Sequence, residues 1–278
     1  MELIVLTDNN TFIDRYFLGE PGLCFYIREE RDILFDLGYS DVFIRNARKM
    51  GLDLLQTDSV VLSHGHLDHT WGIDPLIRLH TEALIEGRPL IRPQVIAHPG
   101  VFKTRSFMNL PQIGSLISRE KMADCFDLHL SGKPYPLTEN LIFLGEIKRC
   151  MPFEPAYAMG RFGNEHDQGQ EDFLPDDSAL VYRSATGLVV IAGCAHSGIC
   201  NIVEQARKVC GEDRVRSVIG GFHLLDPEPA RLEGTVQYLS TLNLESLYAC
   251  HCTDLKSKIA LAAKLPLQEV GVGLRLEF

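Results

Sequence analysis

The segment Leu62-Ser63-His64-Gly65-His66-Leu67-Asp68-His69-Thr70-Trp71-Gly72 packs three histidines and an aspartate into six consecutive positions, directly after an apolar run beginning at Ser59. Imidazole nitrogen and carboxylate oxygen are donors that zinc, manganese and iron accept. His64 and His66, two apart on an extended loop, can converge on one ion. Asp68 and His69, at the turn into a helix, then face a second. The competing reading is a merely solvated loop, which this spacing disfavours. Other reactive signatures are missing from the sequence: no Gly-x-x-x-x-Gly-Lys-Ser/Thr phosphate loop, no Gly-x-Gly-x-x-Gly after a strand, and no Gly-x-Ser-x-Gly nucleophile elbow.

Something must hold that loop, and the surrounding pattern alternates short β-rich runs with amphipathic helices. Strands are expected at Leu3–Thr7, Cys24–Arg28, Asp32–Asp36, Ser59–Ser63, Val95–His98, Leu141–Leu144, Leu180–Arg183, Leu188–Ala192, Arg216–Gly220, Ser246–Ala249 and Gly271–Glu277. Helices are expected at Val42–Met50, Asp74–Glu86, Ile199–Val209, Ala230–Thr241 and Asp254–Ala263. No Ser/Gly linker or charge block divides the chain, so it reads as a single domain over 1–278. The Pro/Gly-rich stretch around 131–177 reads as a long, irregular, pocket-forming region.

One internal similarity links distant parts of the chain. Ile33-Leu34-Phe35-Asp36-Leu37-Gly38 and Val189-Val190-Ile191-Ala192-Gly193-Cys194 each lead into a helix, containing Ala47-Arg48-Lys49 and Ala206-Arg207-Lys208 respectively. Ser59-Val60-Val61-Leu62-Ser63-His64 is then echoed by Ser217-Val218-Ile219-Gly220-Gly221-Phe222-His223. Each half reads as a strand–helix–strand unit, and two such halves packed together would give a sheet-on-sheet core with helices outside. The repeat places His223 on the counterpart of the histidine loop. There it reads as a substrate contact or proton donor, with a structural hydrogen bond as the alternative.

Composition narrows the function classes. The 278 residues are 45% hydrophobic and carry 27 Lys plus Arg against 37 Asp plus Glu, a net charge of −10. That apolar content can offset the entropy of ordering. The negative balance argues against nucleic acid or an anionic membrane surface as partner. Nothing resembles a signal peptide or a membrane-spanning run, and eight cysteines in this length are not a disulfide framework. A cytoplasmic protein is expected, of undetermined oligomeric state.

The run His64-x-His66-x-Asp68-His69 after a strand resembles the signature of the metallo-β-lactamase superfamily. Asp36 in Phe35-Asp36-Leu37-Gly38 is similar to that superfamily's first motif, with Leu37 where threonine is usual. Its aspartate supports the metal loop rather than binding metal. More narrowly, the pieces Asp176-Asp177-Ser178, Gly193-Cys194-Ala195-His196-Ser197-Gly198, Gly220-Gly221-Phe222-His223-Leu224 and His251-Cys252-Thr253 resemble the dihydropterin–ribofuranosylaminobenzene phosphate synthase-like members. The resemblance implies an α/β fold, a four-layer αβ/βα sandwich of two mixed β-sheets flanked by helices. It also implies a site for one or two divalent metal ions, zinc first and manganese or iron as alternatives.

In that frame His196 is implied as a ligand of the first metal and His251 of the second. Cys194 stands where a bridging aspartate is usual, and reads either as a zinc-favouring thiolate or as a buried spectator. The usual third-motif histidine is missing, and Asp177 stands nearby as a ligand or as the support of a ligand histidine. His98 is a pocket candidate. Lys103 and Arg105 read as solvated surface, with an anion-holding role as the alternative. Glu146 and Glu154 could line a pocket wall. His80, His129 and His166 are assigned to surface or helix faces. Cys24, Cys125, Cys150, Cys200 and Cys210 read as core fillers, and Cys250 and Cys252 should point opposite to His251 if that segment is extended.

The chemistry expected is a metal-activated hydroxide attacking an ester or phosphoester of a small molecule, a phosphorylated one being what the resemblance implies first, with Asp68 orienting the hydroxide and His223 assisting the leaving group. Two alternatives stand beside it: a synthase-like transferase displacing pyrophosphate, and a metal-binding sensor or scaffold without turnover.

Overall fold

Runs such as Ser59-Val60-Val61-Leu62 and Leu188-Val189-Val190-Ile191 are β-branched and apolar on both faces, and both form sheet strands buried along their length. The computed structural model describes residues 1–163 and 169–278; His166 lies outside the described residues. The chain forms two compact units. One comprises 1–132, 158–172 and 271–278, the other 133–157 and 173–270.

The first unit is built on a seven-stranded mixed sheet. Its order, edge to edge, is Arg275–Glu277, Glu2–Thr7, Cys24–Arg28, Asp32–Phe35, Ser59–Leu62, Gln94–Ala97 and Asp127–Leu130. The first four strands pair antiparallel and the last four run parallel. Ile73, Leu76, His80 and Ala83 of the helix Ile73–Ile85 recur at three- and four-residue steps and are buried. With Phe43 and Ala47 of the helix Val42–Lys49, the apolar members of that face cover Leu34, Val60, Leu62 and Val95. Each large side chain so buried contributes roughly 1.5–3 kcal/mol.

The second unit holds a six-stranded sheet in the order Ser246–Cys250, Val215–Gly221, Gly187–Ala192, Ala179–Ser184, Leu141–Phe143 and Tyr135–Pro136. Its first three strands are parallel and the rest antiparallel. Ile199, Ile202, Val203 and Ala206 of the helix Ile199–Cys210 pack on the sheet residues Val181, Val190 and Val218. Glu154 caps this helix: its carboxylate accepts from the backbone N–H of Cys200 at 3.1 Å and of Asn201 at 2.9 Å, groups a helix start leaves without partners. Glu154 is thus a buried structural residue rather than pocket wall, whereas Glu146 is exposed.

The repeated sequence halves correspond to matching substructures. Asp32–Phe35, Val42–Lys49 and Ser59–Leu62 form a parallel strand–helix–strand unit, and so do Gly187–Ala192, Ile199–Cys210 and Val215–Gly221. Mixed sheets with flanking helices make this an α/β protein, as the sequence pattern implies. Among the described residues no helix is long and apolar enough to cross a membrane.

Some expectations need correction. The C-terminal strand covers only Arg275–Glu277, because Gly273 takes a φ of 90° and turns the backbone ahead of it. The strand Asp127–Leu130 and the preceding helix Arg119–Cys125 carry little apolar periodicity and escape a pattern search. His129 lies on that strand, and His80 is on a helix face, but the buried one, against the Phe126 ring at 5.8 Å. Cys150 is exposed rather than a core filler.

Candidate metal centre

Within each unit the candidate histidines follow the ends of parallel strands, the side on which α/β sheets bind their ligands. The turns there are strained. Asp36, Ala195, His223 and His251 all have φ between 43° and 58°, a left-handed region costly for residues other than glycine.

In the first unit, Asp36 organises the histidine loop. Its carboxylate accepts from the Ser63 backbone N–H, from the Ser63 hydroxyl and from His69 Nδ1, each at 2.7 Å, and all three residues are fully buried. These bonds dictate tautomers. The single Ser63 hydroxyl proton goes to Asp36, so its oxygen can only accept from His64 Nδ1, 2.9 Å away. His64 therefore carries its lone pair on Nε2. His69, donating from Nδ1 to Asp36, likewise keeps a lone pair on Nε2.

His64 Nε2 lies 3.1 Å from His66 Nδ1, and the His64 ring centroid is 4.7 Å from that of His66 and 4.2 Å from that of His69. Asp68 is partly exposed, with Oδ2 at 3.7 Å from His69 Nε2. Two buried imidazoles with fixed lone pairs, a third facing one of them and an accessible carboxylate suit a divalent ion of the zinc type.

The loop is seated from below by a residue the sequence reading misplaced. Arg105 is fully buried, not solvated; its Nε donates to Asp172 Oδ2 at 2.6 Å, and its guanidinium reaches the Val101 carbonyl. A Cβ on Gly65 would meet Arg105 Nη1 at 1.9 Å, so only glycine lets the loop sit this close. Asp172 is 67 residues away in sequence, and no local signal announces the pair. Lys103 lies over the Phe162 ring at 4.6 Å. His98 takes a structural part, its Nδ1 accepting from the Gly100 backbone N–H at 3.0 Å. A cavity of about 310 Å³ in this unit is lined by His66 and Asp68 with Pro21, Tyr39, Phe107 and Met159. A wider groove of about 530 Å³ between the helices Val42–Lys49 and Ile73–Ile85 contains none of the candidate donors.

In the second unit the loops after Ala192, Gly221 and Cys250 bring Cys194, His196, His223 and Cys252 together. Cys194 Sγ donates to Cys252 Sγ at 2.9 Å and lies 3.7 Å from His223 Nδ1. The His223 backbone N–H donates to Cys252 Sγ at 3.2 Å, and the His196 and His223 rings lie 4.3 Å apart. Cys252 was expected to point opposite to His251 if that segment were extended. The left-handed turn at His251 breaks the extended geometry behind that expectation and brings the thiol inward. Burial opposes ionisation of Cys252, but the hydrogen bond from Cys194 and the neighbouring His251 and His223 outweigh it and hold this thiol well below its ordinary range. The ligand atoms of Cys194, His223 and Cys252 all lie within 4.8 Å of one another, a thiol-rich set that favours zinc among the common ions. His251 is buried beside them in sequence.

Asp177 is fully buried, and its Oδ2 accepts from the Ser197 backbone N–H at 2.7 Å, holding the loop that carries His196. Its other oxygen has no hydrogen-bond partner. Burial pushes this carboxyl up to about 6, against the pull of the Ser197 hydrogen bonds.

Comparison with known proteins agrees with this architecture. Residues 18–107, which include Asp36 and the histidine loop, match the family model described as the metallo-beta-lactamase superfamily. A 7,8-dihydropterin-6-methyl-4-(beta-D-ribofuranosyl)-aminobenzene-5'-phosphate synthase of Methanocaldococcus jannaschii is 27% identical over 272 residues, covering 93% of this chain and 89% of that protein. The protein MJ0448 of the same organism is 28% identical over 260 residues and covers 93% of both chains. Among solved structures, Tm1679, described as a metal-dependent hydrolase of the beta-lactamase superfamily, superposes with a TM-score of 0.83 at 27% identity. The match covers 100% of this chain and 99% of that one. The resemblance read from the sequence therefore holds in local motif, full-length similarity and fold.

Proposed function

We propose that this chain, whose residues 18–107 match the metallo-beta-lactamase superfamily model and whose fold is similar to that of Tm1679, is a metal-dependent hydrolase acting on an ester or phosphoester of a small molecule. In this reading His64, His66, Asp68 and His69 are the ligands that the first unit offers to a divalent ion, and His196 and His251 are those that the second unit offers. Cys194 is available as a further ligand, and Asp177 supports His196 through the Ser197 backbone. The observation that carries the proposal is the network around Asp36, which leaves two buried imidazoles with lone pairs on Nε2.

When bound, a divalent ion supplies Lewis acidity and brings the pKa of water toward neutrality. The residues do the rest. Asp68, partly exposed in the first unit's cavity, accepts a proton at its carboxylate and orients the attacking water. His223, half-buried at a second cavity, donates a proton to the departing oxygen.

The test is turnover of bis(4-nitrophenyl) phosphate by zinc- or manganese-loaded protein. Wild type should turn over, and His66→Ala and Asp68→Asn should lose at least a hundredfold. Activity at the wild-type level in both variants would sink the mechanism. A second reading is favoured by the relative named a phosphate synthase. In it the same residues assist displacement of pyrophosphate from an activated substrate, and pyrophosphate release without net hydrolysis of the carbon framework would distinguish it.

A further inference from the structure

The second unit contains a cavity of about 500 Å³, within the range of small-molecule sites. Its walls include Phe153, Tyr157, Leu225 and Pro227, and His223 and Arg231 also line it. Arg231 stands in the first turn of the helix Pro229–Ser240, and its guanidinium carbon lies 5.6 Å from the centre of the Tyr157 ring. This cation–π contact pins the guanidinium without neutralising it. Arg231 Nε is buried and has no hydrogen-bond partner. Burial pushes the Tyr157 phenol up, against the pull of the Arg231 charge, so this tyrosine is a neutral wall rather than a counter-ion. Glu154 feels the Arg231 charge but spends its oxygens on the helix start. The acidic residue of the lining, Glu228, is exposed.

His223 ties the cavity to the reactive cluster. Its ring is nearly parallel to that of Tyr157, at 17° and 6.2 Å, while its Nδ1 lies 3.7 Å from Cys194 Sγ. The backbone at His223 is held left-handed, with its N–H donated to Cys252 Sγ, which fixes the ring in the cavity lining.

We propose that this cavity is the specificity pocket: it takes an oxyanion, phosphoryl or carboxylate, carried on an apolar body, with Arg231 as partner of the anion and Phe153, Leu225 and Pro227 as the walls against the body. The proposal rests on the hydrolase reading above, whose substrate class it names. A neutral substrate would leave a buried donor of a cation without a partner, and an anion without an apolar body would leave the walls uncovered.

The test is calorimetric titration of the metal-stripped full-length protein with phenylphosphonate, benzoate and neutral benzyl alcohol, none of which is turned over. Wild type should bind at least one of the two anions at least tenfold more tightly than benzyl alcohol. The tighter of the two identifies the anion as phosphoryl or carboxylate. Arg231→Gln should lose that preference, and Leu225→Trp, a bulky change at an exposed position, should weaken all binding. Circular dichroism melts establish that both variants are folded. Equal affinity of Arg231→Gln and wild type for the anions, or equal affinity of wild type for anion and alcohol, overturns the proposal. A protein that takes up no metal yet shows Arg231-dependent binding supports this pocket while defeating the hydrolase reading. A protein that binds metal but shows no Arg231 dependence does the reverse.

Discussion

Replacing Asp36 by asparagine isolates the hydrogen bonds that prepare the histidine loop. Asparagine tolerates the left-handed φ of 58° at this position about as well as aspartate, so the backbone strain is unchanged. The amide keeps one acceptor, which can serve the Ser63 backbone N–H. Its NH₂ then faces the Ser63 hydroxyl and His69 Nδ1, both of which had been donating. Each must reverse. The Ser63 proton turns toward His64 Nδ1 and forces the His64 proton onto Nε2; His69 likewise moves its proton to Nε2. Both lone pairs offered to an ion are lost together. Hydrogen bonds to charged groups contribute roughly 1.5–3 kcal/mol each, and two are lost or inverted, so the metal-free protein should be destabilised by about 3 kcal/mol. At roughly 2–4 °C per kcal/mol for a chain of this size, the melting temperature should fall by roughly 6–12 °C. Metal affinity should fall ~10–100-fold, the range found when the partner of a ligand histidine is removed. The assays are a calorimetric melt of metal-free protein and a zinc competition titration against a chromophoric chelator. An Asp36→Asn protein with wild-type zinc affinity and an unshifted melt would refute the tautomer argument.

Arg105→Ala should cost about 3–5 kcal/mol in denaturant unfolding, because it leaves Asp172 charged and buried. The double change Arg105→Met with Asp172→Leu should recover much of that loss, and failure to recover would mean the pair does more than satisfy itself. Asp177 carries a folded-state pKa raised to about 6 from 3.8. The folded protein therefore binds this proton more tightly than the unfolded chain, and ionising Asp177 destabilises the fold progressively as pH rises from about 4 through 6. The stability of Asp177→Asn relative to wild type, measured metal-free, should accordingly be about 2 kcal/mol more favourable at pH 7.5 than at pH 4. A difference independent of pH would show that burial does not govern this carboxyl.

Much of the fold was legible because it is written in local pattern. The aromatic-rich strand Cys24–Arg28, the valine-rich strands Ser59–Leu62 and Gly187–Ala192 and the helices Val42–Lys49 and Ile199–Cys210 fall within a residue or two of expectation. The histidine loop was legible because four donors in six positions have few other uses, and Asp36 was found through its resemblance to a known motif. What stayed hidden depends on contacts distant in sequence. Arg105 looked solvated because its partner Asp172 lies far along the chain. Cys252 looked turned away because alternation assumes an extended backbone, and His251 is left-handed. Arg231 drew no attention at all. It is one arginine in an ordinary helical turn, and only the placement of Tyr157 and His223 gives it a cavity to line.

The central claim is that the histidine loop organised by Asp36 holds a divalent ion. Zinc content after equilibrium dialysis, measured by inductively coupled plasma mass spectrometry on wild type, His64→Ala and His66→Ala, tests it most directly. One to two zinc ions per chain in wild type, with the content reduced by each substitution alone, is the predicted result. Wild type without zinc, or variants that both keep the full wild-type complement, would contradict the account.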